Sequence, residues 1–391
     1  MTAASTITDL GAHPMPQQRH VLLIAPPWYP VPPRGYGGIE LVVHVLATGL
    51  RERGWRVSLL AVDGSEHGAI ACAPAAWKRD LGSKRERLRE LEYAARVTRR
   101  LRDLDDVDVI HDHVGFATLL SACVVARAPV VHTVHGPVGE PDSDREYLAE
   151  LGERVNLVAI SDHQRGTAPS LHWVGTVCNA VDATRSIVVD RDEKEPYLLC
   201  LARICGEKGQ HLAIEVAHRV GMCLVLAGKV ENTGAGRQYY EEKVRPHVDG
   251  HRVRHIGNVA GVEKHVLLAR AHALLAPIQW DEPFGLSVVE AMVSGTPPLS
   301  MRRGAAPALI EEGVTGFLVD DVDGMVDAVG RVTEIDPAAC AERARARFGG
   351  DAMVDGYVDV YRRAIARGSA HTRVSPATSA TPAGAALEPS A

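Results

Sequence analysis

The 391-residue sequence lacks a basic excess: 43 Lys and Arg stand against 49 Asp and Glu, a formal net charge of −6. A nucleic-acid binder usually presents a basic face, so this balance argues against one. It also lacks the cysteine spacings of metal or redox motifs. Its seven cysteines (Cys72, Cys123, Cys178, Cys200, Cys205, Cys223 and Cys340) are odd in number and include no Cys-x-x-Cys. Free buried thiols in a reducing cytoplasm are the expectation, and a structural zinc site is not. The opening stretch MTAASTITDLGAHPMPQQRH has no basic region followed by an apolar one, so no signal peptide is expected. No uninterrupted apolar run is long enough to span a bilayer. Peripheral membrane contact is left open.

What is present is strand–helix alternation. HVLLIAP, WRVSLLAV, VDVIH, APVVHTVH, VNLVAIS and WVGTVC read as strands. IELVVHVLATGLRERG is an amphipathic helix stopped by Gly54, and SKRERLRELEYAARVTRRLRDL a long charged one. After the charged segment VDRDEKEP the alternation resumes with YLLCLAR, MCLVLAG, RVRHIG, ALLAPI, GTPPLS and GFLVD. Pro297-Pro298 sits badly in a central strand, which leaves that boundary open. Apolar strands separated by helices predict parallel sheets covered on both faces. The fold class is therefore α/β, with two doubly wound Rossmann-like domains facing across a cleft. The expected boundaries are a disordered lead (1–18), an N-terminal domain (19–190), a C-terminal domain (191–350), a terminal helix (351–368) and a disordered tail (369–391) rich in Ala, Ser, Thr and Pro. Ligands of such sheets bind beyond the carboxyl ends of the strands, so the loops there hold the candidates.

Four loops carry chemistry. PPWYPVPPRGYGGIE has Gly35, Gly37 and Gly38 before a helix, where exposed amides favour phosphate. It fails the dinucleotide fingerprint, because Glu40 stands where the third glycine belongs. A plain surface loop is the competing reading. His111, Asp112 and His113 close one strand, and His132 and His135 the next. His111 and His113 lack a third metal ligand at suitable spacing, which favours core or rim hydrogen bonding. His135, beside Gly136-Pro137, suits a sugar hydroxyl or phosphate. In LARICGEKG, Arg203 and Lys208 flank a glycine-containing loop that fits a pyrophosphate or, equally, two solvated cations. In DEPFGLSVVE, Ser287-x-x-Glu290 matches a capping box, whereas Glu282 and Glu290 also suit two separate polyols. Asp106-Val107-Asp108 and Asp321-Val322-Asp323 match Asp-x-Asp, a common tripeptide.

The order of these motifs resembles the retaining nucleotide-sugar glycosyltransferases of glycosyltransferase family 4, with the GT-B fold, over roughly Val21 to Phe317. Glu282-Pro283-Phe284-Gly285-Leu286 with Glu290 and EAMVSGTP is the most specific part; LARICGEKG, VPPRGYGGIE and VVHTVHGP follow. The resemblance implies that Arg203 and Lys208 bind the donor pyrophosphate, that Glu290 holds the ribose, and that Glu282 with the Phe284, Gly285 and Leu286 backbone orients the transferred sugar. It implies that Gly37 and Gly38 approach the phosphates, that His135 contacts the sugar, and that the base lies near Ile256 to Val259. The implied reaction moves a hexose from a UDP-, GDP- or ADP-sugar to a hydroxyl acceptor by front-face substitution, with no metal and no permanently bound cofactor. Rivals are a nucleotide-sugar isomerase or hydrolase of the same architecture and a non-catalytic sugar-binding protein. One departure is Asn179-Ala180-Val181-Asp182, where the family often has glycine second, which puts the turn in question.

Overall fold

Apolar runs flanked by amphipathic segments build two parallel sheets, each covered on both faces. The computed structural model describes residues 18–371, except Tyr36 and residues 140–144. The expected lead, but for Gln18, and the tail beyond His371 lie outside the described residues. The first sheet holds β1 (His20–Ile24), β2 (Arg56–Val62), β3 (Ile70–Ala73), β4 (Val109–Asp112), β5 (Val130–Val134), β6 (Val155–Ala159) and β7 (Trp173–Thr176). The second holds β8 (Glu195–Leu201), β9 (Cys223–Ala227), β10 (Val253–Gly257), β11 (Ala271–Ala276), β12 (Pro298–Met301) and β13 (Phe317–Val319). Their orders are 3-2-1-4-5-6-7 and 10-9-8-11-12-13. Strand order reverses between β1 and β4, and again between β8 and β11. Those switch points open a crevice at the carboxyl ends of each sheet.

One face of the first sheet packs on the helix Gly38–Glu52 and on the terminal helix Gly350–His371, through Met353, Val354, Tyr357 and Tyr361. The chain therefore returns to its first sheet after completing the second. Each such buried side chain stabilises the return by about 1.5–3 kcal/mol. The two tyrosines also use their polar ends: Tyr361 Oη lies 2.6 Å from His111 Nδ1 and Tyr357 Oη 2.8 Å from Thr133 Oγ1. The opposite face is filled by Tyr93, Val97 and Leu119 among others.

Several local expectations need correcting. IACA, not foreseen as a strand, forms β3 at the sheet edge. β8 begins at Glu195, inside the charged segment VDRDEKEP after which the alternation was expected to resume, and the terminal helix runs three residues past Gly368. β12 is internal despite its prolines. Pro298 is its first residue, opposite Leu274, a position where a missing N–H is tolerated. The turn at Ala180 needs no glycine: among the described non-glycine residues only His67 has a positive φ. The buried Ala180 amide points at Met353 Sδ, 3.3 Å away.

Candidate active site

The loops after β1, β5, β8, β10 and β11 line a cleft of about 890 Å³ between the two sheets. The ten residues given individual roles by the resemblance (Gly37, Gly38, His135, Arg203, Lys208, Glu282, Phe284, Gly285, Leu286 and Glu290) all line it. The halves touch across it. A Cβ on Gly38 would meet Leu286 Cδ1 at 2.9 Å, and Ser161 Oγ donates to the Pro283 carbonyl at 2.6 Å. Lys229 Nζ reaches Tyr29 Oη at 3.2 Å.

The loop after β8 is held in a shape only glycine allows. A short turn, Gly206–Lys208, ends at Gly209 (φ 67), and the helix begins at Gln210. A Cβ on Gly209 would fall 2.1 Å from the Pro277 carbonyl oxygen. The Gln279 amide donates to the Glu207 carbonyl at 2.7 Å. This close approach joins the loop after β8 to the loop after β11. Lys208 Nζ consequently touches Glu282, whose Oε2 also accepts from Trp280 Nε1 at 3.0 Å.

Arg203 lies 2.6 Å from Glu231 and 3.9 Å from Glu207, so it is an ion-pair partner rather than a solvated loop cation. Lys229 adds a further cation at the cleft. Burial, then Arg203, lowers its pKa.

The capping-box reading of Ser287 and Glu290 does not hold. The helix Leu286–Val293 is capped by Gly285 (φ 106) with no side-chain cap, so Ser287 already lies inside it. Glu290 turns elsewhere: its Oε1 accepts from Lys264 Nζ at 2.6 Å. Among the described residues no group accepts from the Gly285, Leu286 or Ser287 N–H. These amides and the helix dipole form a site for an anion. The carboxylates therefore stand on either side of a helix N-terminus, each beside a lysine.

On the facing side, Glu40 is buried below the glycine loop. Burial raises its pKa to about 7, against the opposing pull of the Glu40 and Tyr29 backbone amides and of Lys229. Gly37 has φ 150, and a Cβ there would lie 2.7 Å from Pro33 Cβ and 3.0 Å from Glu40 Oε2. His135 Nε2 is 3.0 Å from His113 Nδ1. Burial, then His132, lowers His135 to about 3, so its ring is neutral near pH 7.

His111 and His132 have structural partners. His111 lies between Tyr361 and Thr133, and His132 Nδ1 is 2.8 Å from Asp112 Oδ2. Among the described residues no three His, Cys, Asp or Glu gather as a metal site. Both Asp-x-Asp tripeptides have structural partners. Asp108 accepts from Arg19 and the His20 amide at the start of the first sheet. Asp321 caps a helix, and Asp323 pairs with Arg219.

Of the stretch expected at the base, Asn258 and Val259 line the cleft. Sequence reasoning missed Lys264, Glu231 and Trp280. Lys264 sits in the first turns of a helix that follows β10, so the rule of inspecting loops after strands reaches it. Glu231 and Trp280 follow β9 and β11 just as directly, so the same position after a strand could have found them.

Residues 36–185 match the model of Glycosyltransferase Family 4, and residues 184–347 that of Glycosyl transferases group 1. The glycogen synthase of Mycobacterium tuberculosis is 33% identical over 187 residues, 46% of this chain and 44% of that protein. The chain thus spans less than half the length of that relative. The D-inositol 3-phosphate glycosyltransferase of Corynebacterium diphtheriae is 30% identical over 309 residues, covering 63% of this chain and 72% of that one. The solved structure of AviGT4, a glycosyltransferase involved in avilamycin A biosynthesis, superposes with a TM-score of 0.67 at 27% identity, over 89% of this chain and 98% of that one. Among the described residues no helix is long and apolar enough to cross a membrane.

Proposed function

The chain belongs to the GT-B glycosyltransferases of the family 4 type, and from that premise we propose that it moves a hexose from a nucleoside-diphosphate sugar to a hydroxyl acceptor with retention of configuration. The observation that carries this reading is the pairing of Lys208 with Glu282 and of Lys264 with Glu290, on either side of a helix N-terminus with open amides. A donor diphosphate takes the positive charge of Lys208, Arg203 and the amides of Gly285 to Ser287. The carboxylates released from their lysines then accept hydroxyls: Glu290 from the ribose and Glu282 from the transferred sugar. Phe284, Gly285 and Leu286 shape that wall, and Val259 lies beside the base. Gly37 and Gly38 close on the phosphates from the facing half, and His135 meets the sugar.

In this reading residues 19–190 take the acceptor and residues 191–350 the donor, while the helix from 351 to 368 ties the second to the first. The departing diphosphate helps to remove the acceptor proton in a front-face substitution, and the protein stabilises charge on that leaving group. Water, the competing acceptor, is excluded by closure of the cleft. The chemistry asks for no metal and no permanently bound cofactor. Seven free thiols suit a reducing compartment, so we place the reaction in the cytoplasm.

The test is a thermal-shift screen of UDP-, GDP- and ADP-sugars, then product analysis with candidate acceptors. A stabilising donor and a product that keeps the donor's anomeric configuration support the proposal. An inverted product refutes front-face retention, and donor consumption equal with and without any acceptor points to a hydrolase or isomerase. Transfer persists in EDTA; activity lost there and restored by magnesium or manganese refutes the metal-free account.

A further inference from the structure

The cleft histidine is not alone. Behind His135 stands His113, fully enclosed, with its Nδ1 3.0 Å from His135 Nε2. His113 Nε2 is buried with no hydrogen-bond partner among the described residues. The His111 ring lies against it, centroids 3.9 Å apart, and Tyr357 approaches its edge. Burial and neighbouring histidines hold both His113 and His135 well below the ordinary imidazole pKa, so both rings are neutral near pH 7.

Two neutral imidazoles joined by one hydrogen bond share one donor, and the choice of donor decides what faces the cleft. If His135 donated through Nε2–H, His113 would carry its own proton on Nε2 and bury an N–H without an acceptor. Orphaned buried N–H groups are rare in native structures, more so than under-used acceptors. If His113 donates through Nδ1–H, its Nε2 is left as a lone pair, and His135 must carry its proton on Nδ1. That nitrogen is the one not held by His113, on a side chain that lines the cleft.

We propose that His113 is a positioning residue that fixes His135 as its Nδ1–H tautomer, so that His135 offers the cleft a hydrogen-bond donor and not a base. The ligand this selects is an acceptor oxygen, either a sugar hydroxyl or a phosphate oxygen of the donor. This consequence rests on the transferase reading above; the tautomer itself does not. Because His113 is enclosed by the first sheet and the terminal helix, the donor is set by packing and needs no ligand to induce it.

The test is a long-range proton–nitrogen correlation spectrum of the full chain labelled with 15N-histidine, with the His135 signals assigned by their loss in His135→Asn. Wild type should show His135 protonated at Nδ1 and unprotonated at Nε2. His113→Asn, whose amide N–H reaches the place of the imidazole Nδ1–H, should keep that pattern. His113→Leu should convert His135 to a mixture containing the Nε2–H form. A wild-type His135 protonated at Nε2 overturns the proposal, as does a His135 pattern that His113→Leu leaves unchanged. If His113→Leu does not fold, the wild-type and His113→Asn spectra decide alone.

With a donor and acceptor in hand, His113→Leu should lose roughly tenfold in kcat, the lower end for a residue that orients a liganding histidine. Its donor KM should stay near wild type, and His113→Asn should recover the rate. Undiminished kcat in His113→Leu refutes the positioning role. Absence of transfer in the wild type instead refutes the transferase reading and leaves the spectra to judge the tautomer.

Discussion

Replacing Lys208 by alanine separates what the cleft does from what holds it together. Lys208 and Glu282 touch, with side chains 16% and 19% exposed. That places the pair between solvent-exposed ion pairs, worth about 0–1 kcal/mol, and fully buried ones, where losing a partner costs about 3–5 kcal/mol. Two features pull towards the lower figure: water screens both groups, and Glu282 keeps its hydrogen bond from Trp280 at 3.0 Å. The stability loss should therefore be about 1 kcal/mol, a fall in Tm of about 2 °C for a chain of this size. The effect on transfer is of another order. A cation aimed at a leaving diphosphate acts where charge develops, and removing such a group typically costs about 10²–10³ in kcat. Nucleotide release under saturating donor and acceptor, with differential scanning fluorimetry in parallel, reads both quantities. Turnover within a few fold of wild type refutes the role of Lys208. Large losses of rate and of Tm together refute the separation of site from scaffold.

Glu290→Gln keeps the shape but gives up the charge that pairs with Lys264 and grips two hydroxyls. Donor KM should rise about tenfold, the worth of roughly 1.4 kcal/mol, with kcat changed less, and isothermal titration with the nucleoside diphosphate checks it. Glu40 is protonated up to about pH 7 in the fold but only to about 4.5 when unfolded. Its burial therefore costs nothing below pH 4.5, and stability falls as the pH rises through 7. Glu40→Gln should gain on wild type across that range, by on the order of 3 kcal/mol at most, in urea melts at pH 4.5 and 8. A difference that does not vary with pH contradicts the assignment. Gly209→Ala puts a Cβ 2.1 Å from a backbone oxygen at φ 67 and should unfold or grossly destabilise the chain. Gly38→Ala meets only the tip of Leu286, so it should fold normally and lose donor affinity instead; equal melting temperatures for the two variants would contradict this.

Much of the fold was legible because its signals are local. Short apolar runs such as HVLLIAP and MCLVLAG name strands, and amphipathic segments between them name helices. An edge strand as short as Ile70–Ala73 carries little such signal and was missed. That Arg203, Lys208, Glu282 and Glu290 face the cleft was readable from their position after strands. Their mutual pairing was not, since Lys208 and Glu282 are 74 positions apart and Lys264 and Glu290 are 26. The capping-box pattern at Ser287 shows the limit of local reading: the motif is present, but the helix is capped at Gly285, two residues before Ser287, so Ser287 lies inside it.

By itself the sequence determined the α/β class, the restart of the alternation after VDRDEKEP, and which loops carry acids, cations and glycines. These follow from periodicity and residue chemistry, which act over a few residues. Tertiary structure alone decided which carboxylate meets which lysine, that His111 serves the terminal helix while His113 serves His135, and that Glu40 is buried enough to hold its proton. Those outcomes depend on distance and on exclusion of water, and both are set only when strand order brings the switch points of two sheets to face one another.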